Sequence, residues 1–153
     1  MIGVLKSEIN KSDQNVFLIN SLNKLTKETT TQNCLFCNEV DPTLNPRIMT
    51  NVLPRIHMLY FKDILITDDL TEAQSLQNIP NAKRRFIYLY HLEWPYIEQL
   101  SFTHIKSILL NDDIGLIARS VTHAKLITQL FKKPEYIMPE WNYKTLIEID
   151  HNE

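Results

Sequence analysis

His91 closes the strongest strand signal in the chain, Arg85-Phe86-Ile87-Tyr88-Leu89-Tyr90, a run of aromatic and branched residues that favours a pleated strand. An imidazole at a strand end titrates near neutral pH and suits general-base work on a hydroxyl. Its plainer role is a hydrogen-bonded histidine packed beside Trp94. The segment His91-Leu92-Glu93-Trp94-Pro95 adds a carboxylate and an indole. With Tyr88, Tyr90 and Tyr96 close in sequence, Trp94 can offer a flat face to a sugar ring, or it can simply be core or interface. A second group, Arg119-Ser120, follows the apolar run Ile114-Gly115-Leu116-Ile117-Ala118. Arg119 can grip a phosphate or carboxylate through a two-pronged contact, or pair structurally with Asp112 or Asp113, and the structural pairing is the expectation. Ser120 is placed to cap the following helix. His91 is thus the catalytic candidate, and Glu93, Trp94, Arg119 and Ser120 are the candidate substrate contacts.

Other reactive residue types do not assemble into a motif. Cys34 and Cys37 form a lone C-x-x-C with an apolar Leu35-Phe36 between them. A structural zinc site needs four ligands and a redox pair wants a helix start, so two buried thiols in a strand are expected. His57, His104 and His123 lack metal-ligand spacing, and no metal is expected. The segment Lys6 to Asn15 contains no glycine, so no glycine-rich phosphate cradle and no nucleotide cofactor are expected. Lys83-Arg84-Arg85 is the one basic triplet and reads as a solvated strand edge, with phosphate or partner contact as the alternative.

The elements that must position these residues alternate. From Asp112 to Asn142, an apolar run is followed by a serine cap. A helical stripe comes next (Val121, Ala124, Ile127, Leu130, Phe131), then Lys-Lys-Pro and a second short strand at Tyr136-Ile137-Met138. That is a βαβ unit. Before it come strands near Ile2, Leu35, Ile64 and Ile87. Helices follow Ser12/Asp13 and span Thr71 to Gln77, and another runs from Pro95 through Ile97, Leu100, Ile105, Ile108 and Leu109. Arg47 to Phe61 resolves only into two short pieces around Pro54. A last helix covers Tyr143 to Ile149. Strand-helix alternation predicts an α/β, Rossmann-like three-layer sandwich with a mostly parallel sheet of about six strands, formed by residues 1–153 as a single domain.

The apolar strand ending in Ser120, the helix, Lys-Pro, and the segment Ile137-Met138-Pro139-Glu140-Trp141-Asn142 resemble the N-terminal, acceptor-side domain of GT-B glycosyltransferases, the family 4-like group in particular. "DILITDDLTEA" and "YLYHLEWP" find places in the same pattern, so the likeness covers most of Met1 to Trp141. It implies a His or acidic residue near His91 and a sugar acceptor as ligand. The family's E-x7-E spacing is met by Glu140 and Glu148, but without the glycine-rich approach that places that pair on a donor, and is read as coincidence. A complete GT-B enzyme also carries a donor-binding domain after this segment. The expected function is therefore a stand-alone half-domain acting as a non-catalytic binding or structural module. The alternative is the acceptor-binding subunit of a split glycosyltransferase, since in-line transfer needs both substrates positioned together.

Composition agrees with a globular protein: 44% hydrophobic, 22% charged, net charge −2. This balance gives no reason to expect nucleic acid or an anionic membrane as partner. The N-terminal stretch lacks the features of a signal peptide, so a cytoplasmic protein is expected. The richness in Ile and Asn suits an AT-rich source such as a phage, placing the protein in host cytoplasm or virion. The resemblance also implies that a lone copy leaves uncovered the strand-end face a GT-B N-terminal domain turns to its second domain. Trp94 and Trp141 beside His91, Glu93 and Arg119 would stand exposed there, which points to a homo-oligomer or a partner protein.

Overall fold

Ile2–Leu5 forms β1, buried along its whole length, as a strand covered on both faces must be. The structure, a computed structural model, describes residues 1–92 and 101–152. The strands that follow are β2 (Glu8–Ile9), β3 (Asn33–Phe36), β4 (Glu39–Val40), β5 (Asn51–Leu53), β6 (Ile64–Thr67), β7 (Arg84–Leu89), β8 (Gly115–Ala118) and β9 (Tyr136–Ile137). The helices are α1 (Asp13–Glu28), α2 (Leu70–Gln77), α3 (Phe102–Leu109), α4 (Val121–Leu130) and α5 (Tyr143–Asn152), with 3₁₀ turns at Arg55–Tyr60 and Pro139–Trp141.

Seven strands make one sheet in the order β5-β3-β1-β6-β7-β8-β9, and every pairing in it is parallel. The small strands β2 and β4 pair separately. The six strands expected from sequence are all present, and the seventh is the edge strand β5. Its three residues leave Asn51 and Val52 exposed, and Pro54 ends it, so it carries no apolar run to be read.

The chain winds outward from β1 in both directions. It passes through α1 to β3 and β5 on one side, then returns to β6 and runs through α2, α3 and α4 to β9. Side chains alternate between two cores, as period-two strands require. Val4, Ile66, Tyr88 and Ile117 face α1 and α5; Leu5, Leu65, Ile87, Leu116 and Ala118 face the layer of α2, α3 and α4. This is the Rossmann-like three-layer sandwich. Gly115 is needed where it stands, because a Cβ there would lie 2.3 Å from the Phe86 ring.

Short polar caps start the helices. Ser12, Ser101 and Ser120 accept from backbone N–H groups three residues on, and Asp69 accepts from Thr71 N–H. Each satisfies a donor the helix itself cannot. The Ser101 cap corrects one expectation: a continuous helix from Pro95 to Leu109 does not form. Ser101 is extended (φ −68°, ψ 151°), so α3 starts at Phe102, and the part of the expected helix over residues 95–100 lies outside the described residues. Among the described residues, no helix is long and apolar enough to cross a membrane.

Candidate functional site

Parallel sheets gather ligands outside the carboxyl ends of their strands, above all where the winding reverses. Here that reversal lies between β1 and β6, and the chain's own side chains fill it. Lys6 Nζ is 2.6 Å from Asp68 Oδ1, with the Asp68 side chain fully buried. Gln14 donates to the other Asp68 oxygen, and Ser7 Oγ donates to Asp69 at 2.7 Å. An anion offered to this crevice would meet two carboxylates.

The open cleft lies further along the same rim, at the ends of β7 and β8. Tyr90 and Arg119 each follow a residue that faces the α2–α4 layer (Leu89 and Ala118), so both turn toward α1. Arg119 Cζ lies 4.4 Å from the Tyr90 ring centroid. The His91 ring meets Tyr90 edge-on at 4.7 Å. The first turns of α1 (Ser12, Asp13, Phe17) form the opposite wall, enclosing about 340 Å³.

Glu140 holds two of the residues that line this cleft. It accepts from Arg119 Nε–H at 3.0 Å and, more closely, from the terminal Arg119 N–H. The Tyr90 hydroxyl donates to its second oxygen. Glu140 reaches them because it and Trp141 adopt left-handed backbone, φ 47° and φ 56°, a conformation that costs ~1–3 kcal/mol at each non-glycine residue. The surroundings hold the turn in place: Trp141 is fully buried, packs edge-on against Tyr88 at 4.9 Å, and the Tyr88 hydroxyl donates to Met138 O.

Protonation follows from these contacts. Burial opposes ionisation of Glu140, but hydrogen bonds from Tyr90 and Arg119, with the charges of Arg119 and His91, hold its carboxyl below the ordinary 4.5. The Glu140 bond raises the Arg119 guanidinium further. Burial and the Glu140 carboxylate push the Tyr90 phenol up to about 12. His123, in the first turn of α4, is lowered by burial and then by Arg119 and His91. At neutral pH the cluster is a carboxylate, a guanidinium and a neutral phenol.

Of the residues chosen from sequence, His91 and Arg119 meet in the cleft. Ser120 does not line it, and its hydroxyl is taken as the α4 cap, 3.2 Å from His123 N. Glu93 and Trp94 lie outside the described residues. Arg119 does not pair with Asp112 or Asp113; its partner is Glu140, brought in by the left-handed turn, while Asp113 lies 4.0 Å from Arg85. Trp141 is not an exposed indole but one of the largest fully buried side chains. Glu148 is exposed on α5, while Glu140 is held in the Arg119–Tyr90 cluster. Asp13 was read from sequence only as a helix cap and Phe17 was not singled out, although the Ser12/Asp13 cap marks the helix start that a parallel sheet brings to this rim.

The remaining candidates are structural. Cys34 and Cys37 are free and buried, and burial pushes the Cys34 thiol up to about 12. Arg84 pairs with Glu135 at 2.6 Å, and Arg85 donates to Gln77 O, both at the amino end of β7, away from the cleft. Among the described residues no three His, Cys, Asp or Glu side chains converge as metal ligands. No protein-family model, curated protein or solved structure matches the chain.

Proposed function

We propose that the chain is a GT-B-like acceptor half-domain that works as a non-catalytic binding module, taking the sugar acceptor into the cleft of Tyr90, His91 and Arg119. The observation that carries this reading is the pairing of an open cleft at the β7–β8 ends with a reversal point closed by Lys6–Asp68. The polar rim of Ser12, Asp13 and His91 suits hydroxyl groups, and Phe17 beside it supplies an apolar face. Rigid polar groups with a little aromatic surface are what a polyol site needs. The Arg119–Glu140 lock keeps the guanidinium oriented but already neutralised, which favours an uncharged ligand over a phosphate.

A second reading, the acceptor subunit of a split glycosyltransferase, draws on His91, whose exposed ring faces the cleft and can take a proton from a hydroxyl. The test is direct. The purified chain is offered UDP- and GDP-sugars with and without sugar acceptors, and acceptor binding is followed by saturation-transfer NMR. Sugar contacts without turnover, weakened in His91→Ala, are expected. Turnover by the chain alone, abolished by His91→Ala, would replace the module with an enzyme. Turnover only after a separate donor-binding chain is added would favour the second reading. No sugar contact at all would remove both.

A further inference from the structure

On the other side of Phe17 lies a second and larger cleft of about 700 Å³, running along the exposed side of α1. The two share Phe17, a residue that is 40% exposed. Glu140, the lock of the first cleft, lines the second. Asn20, Lys24 and Lys27 project from successive turns of α1, and Tyr143 and Pro46 form the facing wall. Asn23 fixes that wall: its amide donates to Arg47 O at 2.9 Å and accepts from Met49 N–H at 2.8 Å. Lys24 Nζ sits 5.1 Å over the Tyr143 ring.

We infer that the two clefts are one extended site and that its ligand is an oligosaccharide, neutral or weakly acidic, with Phe17 as the stacking platform between subsites. This rests on the reading of the first cleft as a sugar site. Three features carry it. Each cleft falls within the roughly 300–1,000 Å³ of an ordinary small-molecule site, so together they exceed what one monosaccharide fills. An exposed phenyl ring at the junction costs free energy when hydrated and is covered by a sugar's apolar face. The lining is amide, ammonium and aromatic, with Lys24 and Lys27 offset in part by Glu28, and so lacks the cationic excess that a polyphosphate or nucleic acid strand demands.

The experiment uses an array of neutral and uronic-acid mono- to hexasaccharides, followed by calorimetric titration of the best chain-length series. Binding to the wild-type chain is expected to tighten at least ten-fold from mono- to tetrasaccharide. Asn20→Ala with Lys27→Ala changes two exposed α1 positions to a strong helix former, so the fold is kept. This variant is expected to lower tetrasaccharide affinity to that of the monosaccharide and leave the monosaccharide unchanged. Phe17→Ala is expected to weaken both. Equal affinity for mono- and tetrasaccharide, or a double variant indistinguishable from wild type, overturns the extended site while leaving the first cleft's reading intact. No binding to any saccharide overturns both together.

Discussion

Lys6 Nζ and Asp68 Oδ1 lie 2.6 Å apart at the carboxyl ends of the adjacent strands β1 and β6, where the winding of the sheet reverses. The pair is nearly buried, so its charges survive there only because they face each other and Gln14 takes the second Asp68 oxygen. Removing one partner of a buried pair leaves the other uncompensated, at a cost of ~3–5 kcal/mol. Lys6→Ala is expected to lower the unfolding free energy by that amount in urea titrations. Adding Asp68→Leu should recover part of it. A loss below ~1 kcal/mol in the single variant would mean that the crevice is wet and open to ligands after all.

Glu140 makes the folded state sensitive to acid. Its carboxyl is held below its ordinary 4.5, so the folded state binds fewer protons there than the unfolded one. The stabilisation is present above pH 4.5 and disappears as pH falls through the lower folded value. Thermal unfolding of wild type and Glu140→Gln should therefore differ at neutral pH and converge as pH falls below 4.5 and through the lower folded value. Curves separated by a constant gap down to pH 3 would show that Glu140 acts through shape and not charge.

Burial holds the Cys34 thiol up at about 12 and raises Cys37 in the same direction. Only the thiolate attacks disulfides. Ellman's reagent should leave both thiols unmodified in the native chain for as long as it stays folded, and label two per chain in guanidinium. Fast modification of one thiol in the native protein would point to a reactive site that this packing does not provide.

The sheet was legible because fully buried parallel strands write themselves as apolar runs: Ile64 to Ile66, Phe86 to Leu89 and Leu116 to Ala118 leave no polar position to confuse the period. β5 has no such run, since this edge strand of three residues leaves Asn51 and Val52 exposed and Leu53 only half-buried. The cleft was half legible. His91 and Arg119 stand at strand ends that the pattern located. The contact of Arg119 with Glu140 was not, because the two are 21 residues apart and meet through two left-handed residues that no local propensity favours. The same turn decided Trp141: an extended continuation past Pro139 would expose the indole, whereas the turn folds it back under Tyr88.

Trp141 consequently belongs to stability and not to a docking face. Its side chain is fully buried against Tyr88, and its indole N–H finds no partner among the described residues. Truncating a buried aromatic costs ~3–5 kcal/mol. Trp141→Ala should show that loss in denaturant titrations, and the Arg119–Glu140 lock should loosen with it, because the left-handed turn loses its anchor. Trp141→Phe keeps the ring contact with Tyr88 and removes the unpaired donor, so it should cost distinctly less. Light scattering on both variants should give the wild-type mass wherever they remain folded. A Trp141→Ala protein as stable as wild type but altered in oligomeric size would return this residue to the surface and undo the packing described for the turn.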